Sequence, residues 1–217
     1  MGSTGLVLEL MAGTGRISVP LLEKGVDLVC VDASLPMLEV LKRKAEVREL
    51  GPKIVCCDVR RLPFRRRFQT GIWPFHGISE LAEGADRRQA LWELKGALVE
   101  GALLIFTLHN PTVRRRTIDS HWHIHGTFPR LDGKGSVTLS SRLEVDPEDG
   151  AVVGVQRVEE LSDVGETVGI REIPLRFALP SQAEMERELR DLGFEVKELL
   201  GGYDLSLIHI SEPTRRH

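Results

Sequence analysis

Val7-Leu8-Glu9-Leu10-Met11-Ala12-Gly13-Thr14-Gly15-Arg16 opens the stretch that decides the fold, and Val29-Cys30-Val31-Asp32-Ala33-Ser34 closes it. Residues 6–8 are a short apolar run of strand type, broken by Gly13 and Gly15. Residues 17–22 then carry apolar side chains at helical spacing until Gly25 stops them. A second apolar run, 28–31, ends on Asp32. Strand, glycine turn, helix, strand and carboxylate in this order predict a nucleotide-like ligand. The glycines let the backbone approach it closely, and a helix starting near Arg16 points unpaired N–H groups at it. Asp32, at the carboxyl end of its strand, is placed to accept from ribose hydroxyls.

Two cofactors fit that outline. Gly13-x-Gly15-x-x-Ser18 is a near miss to the dinucleotide pattern, which asks for Gly or Ala at the last place. A nucleotide-linked (NAD-type) oxidoreductase therefore stays open at this point. However, Glu9 precedes the loop, and a further strand-end carboxylate follows at Asp58 in Ile54-Val55-Cys56-Cys57-Asp58. A pyrophosphate disfavours extra carboxylates, whereas a cationic sulfonium cofactor with an amino group, a ribose diol and an adenine amine tolerates them.

These residues resemble the class I S-adenosylmethionine-dependent methyltransferases. Glu9-x-x-x-Gly13-x-Gly15 is similar to the family's first motif, Asp32-Ala33-Ser34-x-x-Met37-Leu38 to its second, and Cys57-Asp58-Val59-Arg60 to its adenine-binding third. Met11 departs from the pattern, standing where the family usually has a glycine. The resemblance runs over residues 6–204. It implies an α/β, Rossmann-like, doubly wound and mostly parallel sheet, with S-adenosyl-L-methionine as cofactor. It also implies a cofactor-binding set of Glu9, Met11, Gly13, Gly15, Asp32, Ala33, Met37, Asp58, Val59 and Pro74. Asp32 would hold the ribose; Asp58 would accept from the adenine amine, with the Val59 N–H offered to a ring nitrogen. Plain structural roles compete: a helix N-cap for Asp32, a turn for Asp58, loop N–H groups for Glu9, and packing for Met11 and Met37.

Composition excludes little and points nowhere exotic. A net charge of -3 with 41% hydrophobic residues describes an ordinary α/β domain and calls for no polyanionic partner. Arg60-Arg61, Arg65-Arg66-Arg67 and Arg114-Arg115-Arg116 read as solvated turns rather than a nucleic-acid patch. Three cysteines, two of them adjacent, suggest reduced thiols; with no signal peptide or membrane-length apolar segment, a cytoplasmic protein with no membrane partner is expected.

Further along, residues 35–50 read as a helix with Met37, Leu38, Leu41, Ala45 and Val47 inward. Strands are expected at 53–57, 68–74 and 102–108, with an amphipathic helix at 87–99. Alternating residues with turn signals then predict an antiparallel insert of about three strands at about 130–178, between the fifth and sixth strands. Family members use such inserts to cover the acceptor or to make a subunit contact, so a homodimer through the insert is an expectation. A last helix at 182–192 leads to a sixth strand at 194–200. Residues 1–204 are expected to be one domain, with N-terminal helices and the final strand of the family missing. Residues 205–217 resemble translated sequencing-adapter sequence and are expected to be a non-native tail.

On the acceptor side, His76 and His109 stand at strand ends and are the candidates for substrate contact or catalytic base. His121-Trp122-His123-Ile124-His125 alternates on one strand and invites a zinc reading, but with no cysteine or carboxylate pattern it reads as lining of the pocket mouth, and no metal is assigned. Methyl transfer to a nitrogen or oxygen of a small-molecule acceptor is the expected function. A cofactor-binding homologue without activity is the non-enzymatic alternative.

Overall fold

The structure, a computed structural model, describes residues 5–130 and 133–201. Two compact units are distinguished, one ending at Ser181 and the other beginning at Gln182. In the first, β1 (Val7–Leu10), β2 (Leu28–Asp32), β3 (Lys53–Cys56), β4 (Phe68–Trp73) and β5 (Leu98–Phe106) form a parallel sheet ordered β3-β2-β1-β4-β5. β1 and β2 lie inside this sheet and are buried along their whole length, which is why they read as nearly unbroken apolar runs. β3 and β5 are the edges, and β5 leaves Leu103 and Ile105 half exposed.

Helices α1 (Ser18–Glu23), α2 (Leu35–Glu46) and α3 (Gly84–Ala97) follow β1, β2 and β4. Leu38, Leu41 and Ala45 form the buried stripe of α2 at three- and four-residue spacing. Met37 and Val47, expected inward, are 48% and 83% exposed. Met37 is one residue, about 100° of helix turn, off the stripe, and Val47 lies at the C-cap. α1 begins at Ser18 rather than near Arg16. Gln69, too polar for a buried strand by its sequence, is exposed, and its side-chain oxygen accepts from the Leu6 N–H at 2.7 Å.

The chain moves from β1 outward through β2 to β3, then returns to the other side of β1 as β4. The strand order therefore reverses between β1 and β4, and the crevice at such a switch point, beyond the carboxyl ends of the strands, is where open α/β sheets take ligands.

After β5, a short α4 (Pro111–Arg115) leads into β6 (Trp122–Pro129), β7 (Ser136–Val145), β8 (Val152–Leu161) and β9 (Thr167–Phe177). These make a separate four-stranded antiparallel sheet in the order β6-β7-β8-β9. The insert thus has four strands rather than about three, and it starts at Trp122. The added strand is the histidine segment, read as a strand but placed outside the insert; it pairs with β7. Leu143, Val152, Phe177 and Leu179 form its core, with Ile118 and Leu175 packed against them.

In the second unit, α5 (Gln182–Asp191) is formed as expected. The sixth strand is not: residues 194–199 lie outside regular structure and Leu200 makes a lone bridge. A strand needs a ladder partner for its N–H and C=O groups; here the Phe194 N–H instead turns back to the Leu189 carbonyl at 2.9 Å. The tail expected at 205–217 lies outside the described residues. Among the described residues no helix is long and apolar enough to cross a membrane.

Candidate active site

The loop after β1 is pinned from two sides. Ala12 N–H donates to the Val31 carbonyl at 2.9 Å, continuing the ladder with β2, and Gly15 N–H returns to the Ala12 carbonyl at 3.0 Å. Met11, Gly13 and Gly15 all have positive φ, +53°, +56° and +81°. Met11 therefore occupies a backbone conformation that glycine adopts without strain, which is what the departure from the family pattern costs, about 1–2 kcal/mol. At Gly15 a β-carbon would come within 2.7 Å of Leu41 Cγ, whereas at Gly13 its nearest neighbour would be Met37 Sδ at 3.9 Å. Gly15 is needed for packing on α2; Gly13 leaves open space, with Met37 on its rim.

Two carboxylates serve this loop. Asp32, nearly buried, accepts from the Gly13 N–H and the Ser34 N–H, each at 2.8 Å. The N-cap of α2 is Ser34, so Asp32 joins the β2 tip to the loop rather than capping the helix. Glu9, 1% exposed, turns away from the loop N–H groups and accepts from Ser18 Oγ at 2.6 Å, with the Cys30 thiol at 3.9 Å. Burial drives its carboxyl up to about 7, against the opposing hydrogen bonds of Ser18 and Cys30. Ala33 is exposed beside Asp32.

Beyond β3, Asp58 caps a 3-10 turn at Val59–Arg61 through the Arg60 N–H at 2.8 Å. The Arg60 guanidinium also grips both its oxygens, at 2.6 to 3.0 Å, and reaches Asp86 of α3 at 2.6 Å. Those Arg60 hydrogen bonds hold Asp58 below the usual carboxylate range. Arg60 and Arg65, read as solvated turns, are instead tied to acidic partners, Arg65 to Glu93 at 3.1 Å. Val59 is buried.

The opposite wall is built by the tips of β4 and β5. Pro74 accepts from Gly77 N–H at 3.1 Å, and the turn between them puts Phe75 and His76 at φ +52° and +60°. Two successive non-glycine residues in that conformation mark a strained site held by its surroundings. His76 N–H donates to Thr107 Oγ1 at 3.0 Å, fastening the turn to the end of β5. His76 and His109 thereby stack, ring centroids 3.7 Å apart, with Phe177 6.1 Å beyond His109. Burial lowers both imidazoles below the usual value; His109, pressed further by His76 and Arg114, falls to about 4. Both are neutral at pH 7. Across the cleft, Arg16 of the glycine loop lies 4.6 Å over the Phe75 ring.

Among the described residues, four buried side-chain polar atoms have no hydrogen-bond partner: Trp73 Nε1, His76 Nδ1, Ser79 Oγ and Arg114 Nε. All belong to this wall or the turn that follows β5. Arg114, Ser79 and the Arg16–Phe75 pair escaped the sequence reading, Arg114 because it sits in an arginine run. His123 and His125 lie on β6, bonded to Asp119 and to Ser141 Oγ at 2.7 Å each. No group of three His, Cys, Asp or Glu among the described residues could hold a metal ion.

A doubly wound sheet with a glycine loop, two strand-end carboxylates and a polar wall at its switch point defines a methyltransferase-type Rossmann fold. Residues 7–101 match a family described as "Methyltransferase domain". Over 97% of its length the chain is 28% identical to 72% of a glycine/sarcosine N-methyltransferase from Parasynechococcus marenigrum. Its fold is that of an S-adenosylmethionine-dependent methyltransferase from Clostridium acetobutylicum, at TM-score 0.79, 17% identity and coverage of 93% and 78% of the two chains. The CcbJ methyltransferase from Streptomyces caelestis is similar too, at TM-score 0.78, 23% identity and coverage of 95% and 79%. The chain is thus similar to class I S-adenosylmethionine-dependent methyltransferases, in sequence over residues 7–101 and in fold. These likenesses favour the methyltransferase reading over the oxidoreductase one.

Proposed function

We propose that the protein methylates the nitrogen of a small amine, with the acceptor seated against His76 and His109. The stacked pair of neutral imidazoles facing the glycine loop across the cleft carries this reading. The likeness to a glycine/sarcosine N-methyltransferase supports it.

The cofactor side has room for its ligand: Gly13 presents bare backbone to an open space that a β-carbon would enter. Asp32 would hold the ribose with its remaining lone pairs, and Asp58 with the Val59 backbone would hold the adenine edge. Glu9 acts from below, fixing α1 to β1 and β2 through Ser18 and Cys30. Met37 and Pro74 lie on the rim.

Bound there, S-adenosylmethionine supplies an electrophilic methyl group whose displacement leaves a neutral thioether. The chain's own task is alignment and exclusion of water. An amine attacks through its lone pair, so it must arrive unprotonated; a neutral imidazole can accept its hydrogen bond. The Arg16–Phe75 contact joins the glycine loop to the turn that carries His76.

The test is methyl transfer to glycine and sarcosine, followed by mass spectrometry of product and of S-adenosylhomocysteine. His109→Gln is expected to lower kcat by about 10²-fold or more while leaving cofactor affinity intact. A wild-type protein that binds the cofactor but yields no methylated amine overturns the proposal.

A further inference from the structure

We propose that Arg114, beside His76 and Phe177, is a carboxylate-binding subsite, so that the acceptor is an amine that also bears a carboxylate. This rests on the amine reading above and narrows it to amino-acid-type acceptors.

Arg114 is set by α4, one turn beyond His109. Asn110 caps that helix by accepting from the Val113 N–H at 3.2 Å, and Thr117 Oγ1 donates back to the Arg114 carbonyl at 2.8 Å. The guanidinium is therefore aimed rather than floating. It lies 5.8 Å over the Phe177 ring, on the residue that His109 also approaches. Its Nη1 donates to Thr117 Oγ1 at 3.1 Å. Its Nε–H is buried with no acceptor, and among the described residues no carboxylate pairs with it. A guanidinium offers five donors and a permanent charge, and leaving one of those donors buried and unsatisfied is costly unless a ligand completes it.

The type of ligand follows from the neighbours. Its partners in the wall, His76 and His109, carry no charge at pH 7, partly because the Arg114 charge itself opposes their protonation. Arg115 is turned to the Gly150 carbonyl at 3.0 Å. A single guanidinium fork suits a monoanion with planar oxygens, a carboxylate, better than a phosphate dianion. With the carboxylate on Arg114, an α-amino group would lie toward the imidazoles and the open cleft.

A carboxylate also exists on the cofactor, and the experiment separates the two sources. Cofactor affinity is measured by calorimetry, and methyl transfer is compared between sarcosine and its neutral amide, in the wild type, Arg114→Gln and Arg114→Lys. The wild type is expected to favour the acid over the amide by roughly 10- to 100-fold in kcat/KM. Arg114→Gln should erase that preference mainly through KM, and Arg114→Lys should restore part of it, with cofactor affinity unchanged in all three. Equal use of acid and amide by the wild type overturns the subsite alone. A parallel loss of cofactor affinity in Arg114→Gln assigns the carboxylate to the cofactor and also overturns it. Transfer to neither compound overturns the amine reading and the subsite together.

Discussion

Asp32 Oδ2 accepts a hydrogen bond from the Gly13 N–H at 2.8 Å, so the tip of β2 holds the glycine loop in the shape that opens the cleft. Its other oxygen takes the Ser34 N–H at the start of α2. A single carboxylate thus orders three pieces of chain before any ligand arrives.

Asp32→Ala should therefore lose stability and ligand together. Unpairing two backbone donors is expected to cost about 1–3 kcal/mol in denaturant unfolding. S-adenosylmethionine binding should weaken by about 1–3 kcal/mol in calorimetry. A variant less stable but of unchanged affinity would confine Asp32 to anchoring the loop.

The two loop glycines should fail in different ways. Both alanine variants carry the left-handed backbone cost of about 1–2 kcal/mol. Gly15→Ala adds a clash with Leu41, and overpacking of that kind typically costs a further ~1–3 kcal/mol. Gly13→Ala has no such clash but places a methyl in the open cleft. Gly15→Ala should melt lower, and Gly13→Ala should bind cofactor more weakly; thermal melts with and without S-adenosylmethionine rank them.

Asp58 and Arg60 separate ion pairing from cofactor contact. Arg60→Gln removes an exposed, solvent-screened pair and should change cofactor affinity by less than about 2-fold. Asp58→Ala removes the cap of the 3-10 turn as well, and should weaken affinity by about 10-fold or more. Equal losses in the two variants would make Asp58 a purely structural residue.

Stability should depend on pH through two opposing groups. Glu9 has its carboxyl raised from 4.5 to about 7 by burial, so the folded state binds the extra proton. That contribution favours folding below pH 4.5 and is lost as pH rises through 7, an effect of roughly 3 kcal/mol. His109 is lowered from 6.5 to about 4 by burial, so the unfolded state binds the extra proton and stability falls as pH drops through that window. His76, shifted the same way, adds to it. The two effects offset each other in the wild type. Glu9→Gln should lose stability as pH falls from 7 to 4.5, whereas His109→Gln should gain over the same interval. Melting temperatures between pH 4.5 and 8 decide, and parallel profiles for the two variants would contradict the assignments.

The glycine loop and the carboxylate that pins it were legible because these residues are near neighbours along the chain. Gly13, Gly15 and Asp32 take their positions from one strand-turn-helix-strand unit, whose geometry is local. On the opposite wall, His76 and His109 were legible as strand ends, but their stacking needs β4 and β5 side by side, fastened by Thr107. Arg114 looked like one more solvated arginine until α4 turned it onto Phe177, a residue that arrives from the end of β9. Similarly, the histidine segment was legible as a strand, but its place as β6 of the insert is decided by antiparallel pairing with β7.

The sequence by itself determined the doubly wound sheet, since apolar runs of strand length and amphipathic helices alternate and only a parallel sheet covered on both faces satisfies them. It also pointed to the class of cofactor, through strand-end carboxylates that suit a cation and the family resemblance those residues carry. Tertiary structure alone decided which polar groups stay buried without partners. Whether a donor is satisfied depends on every segment packed around it, and at Arg114 those segments come from distant parts of the chain.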